Sequence, residues 1–235
     1  MHRADEGKQI TLYPCDITSS DAVHRAAEAI RADHGSPSIL INNAGIGNSS
    51  TILELSPKLL QTLVSVNLMS HWYTVQEFLP AMIAKKKGHV MATASMAAFL
   101  GFVGSADYAA TKAGLTAFHE TLTQELKHRY KCPEVKTSIV YPLWTRTRLN
   151  ASLDPKFRKT FQEPDEIAKI MVNQIIAAKS GQLVLGPALA PALRALPVWI
   201  QELVRDSQAH ILTQNATSAV GVDAPADFKQ LGSRP

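Results

Sequence analysis

The chain has 235 residues, 46% hydrophobic and 19% charged, enough for one α/β domain with a sizeable core. Twenty-four basic against twenty acidic residues leave a net charge of +4, too mild to argue for a nucleic-acid partner. Two cysteines, Cys15 and Cys132, make neither a disulfide framework nor a metal spacing. They fit a reducing intracellular compartment, and no 18-residue apolar run exists to span a bilayer.

Residues 10–17 read as a strand ending on Asp16. A helix is predicted over 19–34, capped by Ser20 or Thr18 and stopped by Gly35. The apolar run Ile39-Leu40-Ile41 suits a buried parallel strand. It opens into Asn42-Asn43-Ala44-Gly45, where small and amide residues let the backbone pass close to a ligand. Residues 56–86 read as a helix with Ser56 as cap and Pro57 in the first turn. Inside it Asn67 is either a packing accident or a polar group meant for the interior. The run Lys85-Lys86-Lys87 before Gly88 suits a helix C-terminus with a glycine stop.

A buried strand over 89–94 leads into Ser95, and a helix runs from near 105 to about 129. A strand over 136–141 ends at Pro142, a helix covers 165–179, and 183–186 is a last strand. Strands alternating with helices specify a parallel, layered sheet. Beyond Gly186, prolines at 187, 191 and 197 break the chain. They precede a helix whose apolar face (Trp199, Ile200, Leu203, Val204, Ile211) is expected to pack on the domain. Covering a substrate pocket and lying on a membrane surface are the other readings. The expected division is a domain over 1–186, a helical extension over 187–212 and a disordered tail over 213–235.

The chemistry concentrates between Ser95 and Lys112. Tyr108 and Lys112 are four apart and share a helix face, and the preceding strand delivers Ser95 to the sheet end where α/β folds place ligands. An ammonium beside the phenol should draw its pKa down toward neutrality. Tyr108 could then exchange a proton with a carbonyl or alcohol oxygen held by Ser95. The trio supplies no redox equivalent, so a hydride transfer would need a cofactor.

Together these motifs resemble the short-chain dehydrogenase/reductase family over about residues 10–186, in the family's order. The resemblance implies a Rossmann-like, doubly wound α/β sheet. It also implies an NADP- or NAD-dependent oxidoreductase interconverting an alcohol and a carbonyl. By resemblance Tyr108 is the acid/base, Lys112 lowers its pKa and holds the nicotinamide ribose, and Ser95 orients the substrate oxygen. Asn67 helps hold a catalytic water, and Asp16 lies near the adenine. Asn43, Ala44, Gly45, Pro142 and Thr147 line the cofactor, and residues 146–163 cover the substrate. The stretch 121–126 and the C-terminal helix are similar to the branch of retinol and 17-beta-hydroxysteroid dehydrogenases. That branch implies a hydrophobic lipid, retinoid or steroid-like substrate and a cytoplasmic protein in contact with a membrane or lipid droplet. A homodimer through the long helices is the family's habit.

Two departures accompany the resemblance. Leu143 and Trp144 follow Pro142 where the family has glycine; the bulky pair either reshapes the nicotinamide pocket or marks a subfamily. The family also begins with a strand, a Gly-x-x-x-Gly-x-Gly turn, a helix and a second strand, with the turn holding the pyrophosphate. Only Gly7 and Gly35 precede Asn42 here. The first two strands are therefore expected to be missing, with the glycine-rich turn encoded upstream of Met1. The alternative is a short, non-catalytic chain that binds a partner or lipid.

Overall fold

The computed structural model describes residues 10–150 and 161–213. The tail expected to be disordered (from residue 214) and residues 151–160 of the expected substrate cover lie outside the described residues. The elements are α1 (Ser20–His34), β1 (Ile39–Asn42), α2 (Pro57–Val64), α3 (Ser70–Ala84), β2 (Gly88–Thr93), α4 (Ala106–Gln124), β3 (Val135–Pro142), α5 (Pro164–Ile176), β4 (Gly181–Leu185) and α6 (Val198–Thr213). One π turn (Ser65–Met69) joins α2 to α3, and another (Glu125–Arg129) prolongs α4.

The four strands lie side by side in chain order and all run parallel. Register pairs Ile39 with His89, Val90 with Thr137 and Ser138 with Gly181. Both faces of β2 and β3 are covered, which is why their sequences are nearly continuous apolar runs. On one face Val90 packs with Val75, Leu79 and Met82 of α3 and Leu122 of α4, and Ala92, Ile139 and Tyr141 pack with Leu115 of α4. On the other, Met91 and Val140 meet Ile167 and Met171 of α5. This is the doubly wound, Rossmann-like arrangement.

Four expectations need correction. Residues 10–17 form no strand; β1 is the outermost strand among the described residues, and a strand needs a paired neighbour to satisfy its backbone. Ser19 caps α1, its hydroxyl accepting from Ala22 N–H at 3.2 Å. Gly88 does not stop a helix but opens β2. The left-handed residue after α3 is Lys86 (φ 46°), and Gly88 is small because a Cβ there would stand 2.6 Å from Met82. Finally, α6 turns apolar surface outward: Trp199 and Leu203 are each 62% exposed, while Ile200 and Val204 are half-buried.

Ser56 caps α2 as predicted, accepting from Leu59 N–H at 3.2 Å, with Pro57 as the first helical residue. Arg31 of α1 holds Glu77 of α3 at 2.9 Å and bonds its backbone carbonyl, fixing α1 against α3.

Candidate active site at the C-terminal ends of β1 and β2

Both β1 and β2 end on polar residues, and these tie the strand exits together. Asn42 accepts from Thr74 Oγ1 at 3.0 Å, and Asn43 accepts from Thr93 Oγ1 at 2.9 Å. The chain then runs exposed through Ala44 and Gly45. Asn67 catches it at the next residue: its Oδ1 accepts from Ile46 N–H at 2.9 Å and its Nδ2 donates to the Ile46 carbonyl at 2.8 Å. Asn67 is fully buried within the first π turn, so it is the interior polar group of the two readings. A π turn offers the irregularity that lets a polar side chain leave a helix toward a site.

Ser95 follows β2 and caps a 3₁₀ turn over Met96–Ala98, its hydroxyl accepting from Ala97 N–H at 3.2 Å. Tyr108 and Lys112 project from the start of α4. Tyr108 is half-buried, and Lys112 is 3% exposed. The Lys112 ammonium donates to the Thr93 carbonyl at 2.8 Å and lies 5.6 Å from the centre of the Tyr108 ring. A Cβ added at Gly45 would stand 3.4 Å from Asn67 Oδ1 and 3.7 Å from Lys112 Nζ. Gly45, Asn67, Ser95, Tyr108 and Lys112 thus share one site.

Electrostatics depart from the sequence reading at the tyrosine. Burial pushes the Tyr108 phenol above its ordinary value, and the Ser95 hydroxyl nearby draws it only partly back. The expected lowering toward neutrality by Lys112 is not seen. Burial falls on the lysine too, pulling it down from 10.5 to about 8, because removing an ammonium from water disfavours its charge. Behind it, His71 is buried, and burial together with Lys112 pulls its pKa to about 3.

The remaining predicted positions make the following contacts. Exposed Asp16 bonds the backbone and hydroxyl of Thr18 ahead of α1, which holds its carboxyl below the usual range. Pro142 ends β3 opposite Leu185. Thr147 is exposed, its N–H donating to the Thr145 carbonyl at 2.9 Å. Leu143 is 40% exposed, and Trp144 stacks on Phe161 at 5.8 Å.

Sequence reasoning missed several neighbours. Thr93 links Asn43 to Lys112. Thr111 donates to the Tyr108 carbonyl at 2.8 Å and lies 3.4 Å from Asn67 Nδ2. Gln162 bonds Leu143 N–H and the Leu185 carbonyl, fastening the loop after β3 to β4. Thr111 carried a usable signal, since it lies three residues after Tyr108 on the same helix face.

The short chain dehydrogenase family profile matches residues 1–157. Dehydrogenase RED3 of Cochliobolus heterostrophus is 43% identical over 131 residues, covering 56% of this chain and 67% of that protein. Human retinol dehydrogenase 10 is 36% identical over 134 residues, covering 57% of this chain and 39% of that protein. The chain therefore spans between two fifths and two thirds of these relatives. A metagenomic short-chain oxidoreductase solved in complex with NADP matches with a TM-score of 0.63 and 28% identity, over 78% of this chain and 76% of that one. An alcohol dehydrogenase from the archaeon Thermococcus sibiricus, complexed with 5-hydroxy-NADP, shares the fold with a TM-score of 0.64 at 23% identity, over 73% and 72% of the two chains. The profile match over most of the chain, on a parallel sheet that gathers Asn67, Ser95, Tyr108 and Lys112 at its strand ends, places this protein in the short-chain dehydrogenase family.

Proposed function

We propose that the chain carries the nicotinamide and substrate side of an NADP- or NAD-dependent oxidoreductase that interconverts a hydrophobic alcohol and its carbonyl. The observation that carries this reading is the Tyr108 phenol near Ser95, with the buried Lys112 ammonium 5.6 Å from the centre of its ring. Membership of a dehydrogenase family and the NADP in the related oxidoreductase structure support it.

The residues present suit one end of the cofactor. Lys112 has donors beyond the one given to Thr93, and Gly45 keeps the backbone low beside it, a cradle for a ribose hydroxyl pair. No glycine-rich turn occurs among the described residues, so the assignment stops at the nicotinamide ribose. The bound nicotinamide would supply or accept the hydride. In the reducing direction Tyr108 gives the phenolic proton to the carbonyl oxygen while the Ser95 hydroxyl holds that oxygen. In the oxidising direction the same phenol must first be deprotonated, a step that its burial opposes. Asn67 keeps Ile46, and with it Gly45, at a fixed height over the site.

A hydrophobic substrate is supported by an apolar side chain beside the tyrosine, Leu149. A Cβ at Gly47 would stand 3.6 Å from the Tyr108 ring and 3.3 Å from Leu149, which is 46% exposed. The outward Val198, Trp199 and Leu203 of α6 suit peripheral contact with a lipid surface. None of the helices described is long and apolar enough to cross a membrane.

Titration with NADPH and NADH, followed by nicotinamide fluorescence, tests cofactor binding, and assays on lipid-like ketones and aldehydes test the reaction. Tyr108→Phe should retain nicotinamide binding and lose turnover by roughly 10²- to 10⁴-fold. Undiminished turnover by that variant would place the acid/base elsewhere.

A further inference from the structure

The loop that passes over Tyr108 is fastened at two points, and only one of them is Asn67. Asp107, the residue before Tyr108, is a carboxylate only 6% exposed in the first turn of α4. Both its oxygens are committed. Oδ1 accepts the Tyr108 N–H at 2.7 Å, and Oδ2 accepts from Asn48 Nδ2. The other end of the Asn48 amide accepts the Ser50 N–H at 2.7 Å. The two loops also touch at Gly104, whose φ of +72° suits glycine and whose Cβ would stand 3.0 Å from the Ser49 carbonyl. Between the fastenings at Ile46 and Asn48 lies Gly47, against the Tyr108 ring.

We propose that Asn48 and Asp107 are positioning residues that set the Tyr108 ring against the loop after β1. Tyr108 is held through its backbone by the carboxylate that holds the loop, so ring and loop move together. The pair is directional: Asn48 presents a donor to Asp107 and an acceptor to Ser50. Its consequence for turnover rests on the reading of Tyr108 as the acid/base; its consequence for the tyrosine's surroundings does not.

That direction supplies the test. Asp107→Asn sets two amide donors face to face, and Asn48→Asp sets two carboxylates face to face. The double variant restores one donor and one acceptor with the polarity reversed, while position 48 still accepts from Ser50. The protein and the three variants are labelled with 3-fluorotyrosine, the Tyr108 signal is assigned through Tyr108→Phe, and fluorine spectra are taken below each variant's unfolding temperature. Each single variant should move or split the Tyr108 signal and leave that of distant Tyr130 in place, and the double variant should return it toward the parent position. On a hydrophobic ketone each single variant should lower kcat by roughly 10- to 100-fold, with KM changing less, and the double variant should recover most of it. A Tyr108 signal unmoved in folded single variants would overturn the proposal, even if their stability fell. So would a double variant no closer to the parent than the singles. The fluorine arm is read without turnover, so an inactive parent protein refutes the proposed reaction and leaves this result standing.

Discussion

Replacing Lys112 with methionine isolates the thermodynamic cost of the buried ammonium. In the folded protein this lysine titrates at about 8 instead of 10.5. Between those values the unfolded chain holds the proton and the folded lysine does not, so folding becomes more favourable as pH rises. Below pH 8 the full penalty applies. The gap corresponds to roughly 3 kcal/mol, entered at about 1.4 kcal/mol per pH unit. Methionine has a similar stem and no charge, so Lys112→Met removes this dependence while losing the bond to the Thr93 carbonyl. Urea denaturation of both proteins, followed by circular dichroism from pH 7 to 11, reads the difference. The stability of Lys112→Met relative to the parent should be greatest at pH 7 and should fall by roughly 3 kcal/mol by pH 10.5. Parallel stability curves for the two proteins would refute the reasoning, because they would mean that Lys112 titrates alike folded and unfolded.

Asn67→Ala removes both bonds to Ile46 and should cost roughly 2–3 kcal/mol by urea denaturation. Its specific mark is faster hydrogen exchange at the Ile46 amide; unchanged protection there would mean that another group holds the loop. Gly88→Ala drives a methyl group against Met82, which a Cβ would meet at 2.6 Å, and should cost about 1–3 kcal/mol. In a Met82→Gly background, which removes the Cβ as well as the longer side-chain atoms, Gly88→Ala should cost almost nothing further, and failure of that rescue would locate the strain elsewhere.

The parallel sheet and its flanking helices were legible because the strands are buried on both faces and the helices carry cap and stop residues at their ends. Ser95, Tyr108 and Lys112 were legible because a strand exit and a four-residue helical spacing bring them to one sheet end, while Asn67 was legible as a site residue only through the family resemblance. Residues 10–17 misled because an apolar alternating segment reads as a strand whether or not a neighbour exists to pair with it. The tyrosine's acidity misled because the sequence shows that a lysine is near but not how much water both groups have lost. Asp107 was passed over because an acidic residue in a first helical turn ordinarily faces solvent. Its burial depends on Asn48, 59 residues away. The exposure of Trp199 and Leu203 escaped for the same reason, since an amphipathic pattern names a face without naming what it meets.

The π turn that carries Asn67 also sets the phase of the helix that follows. Residues of an α-helix advance by about 100° each, and a π turn takes up one residue more than the regular winding. Leu63 before it and Val75, Leu79 and Met82 after it are all buried, on the two sides of the irregularity. Removing a single residue within Ser65–Met69 would restore regular winding and swing one of the two apolar stripes by about 100° out of line with the other. The same deletion would turn the position of Asn67 away from Ile46. Length at this turn is therefore fixed twice over, by the hydrophobic seam and by the polar site. Single-residue insertions and deletions should be tolerated in the loop over residues 51–55 and rejected here.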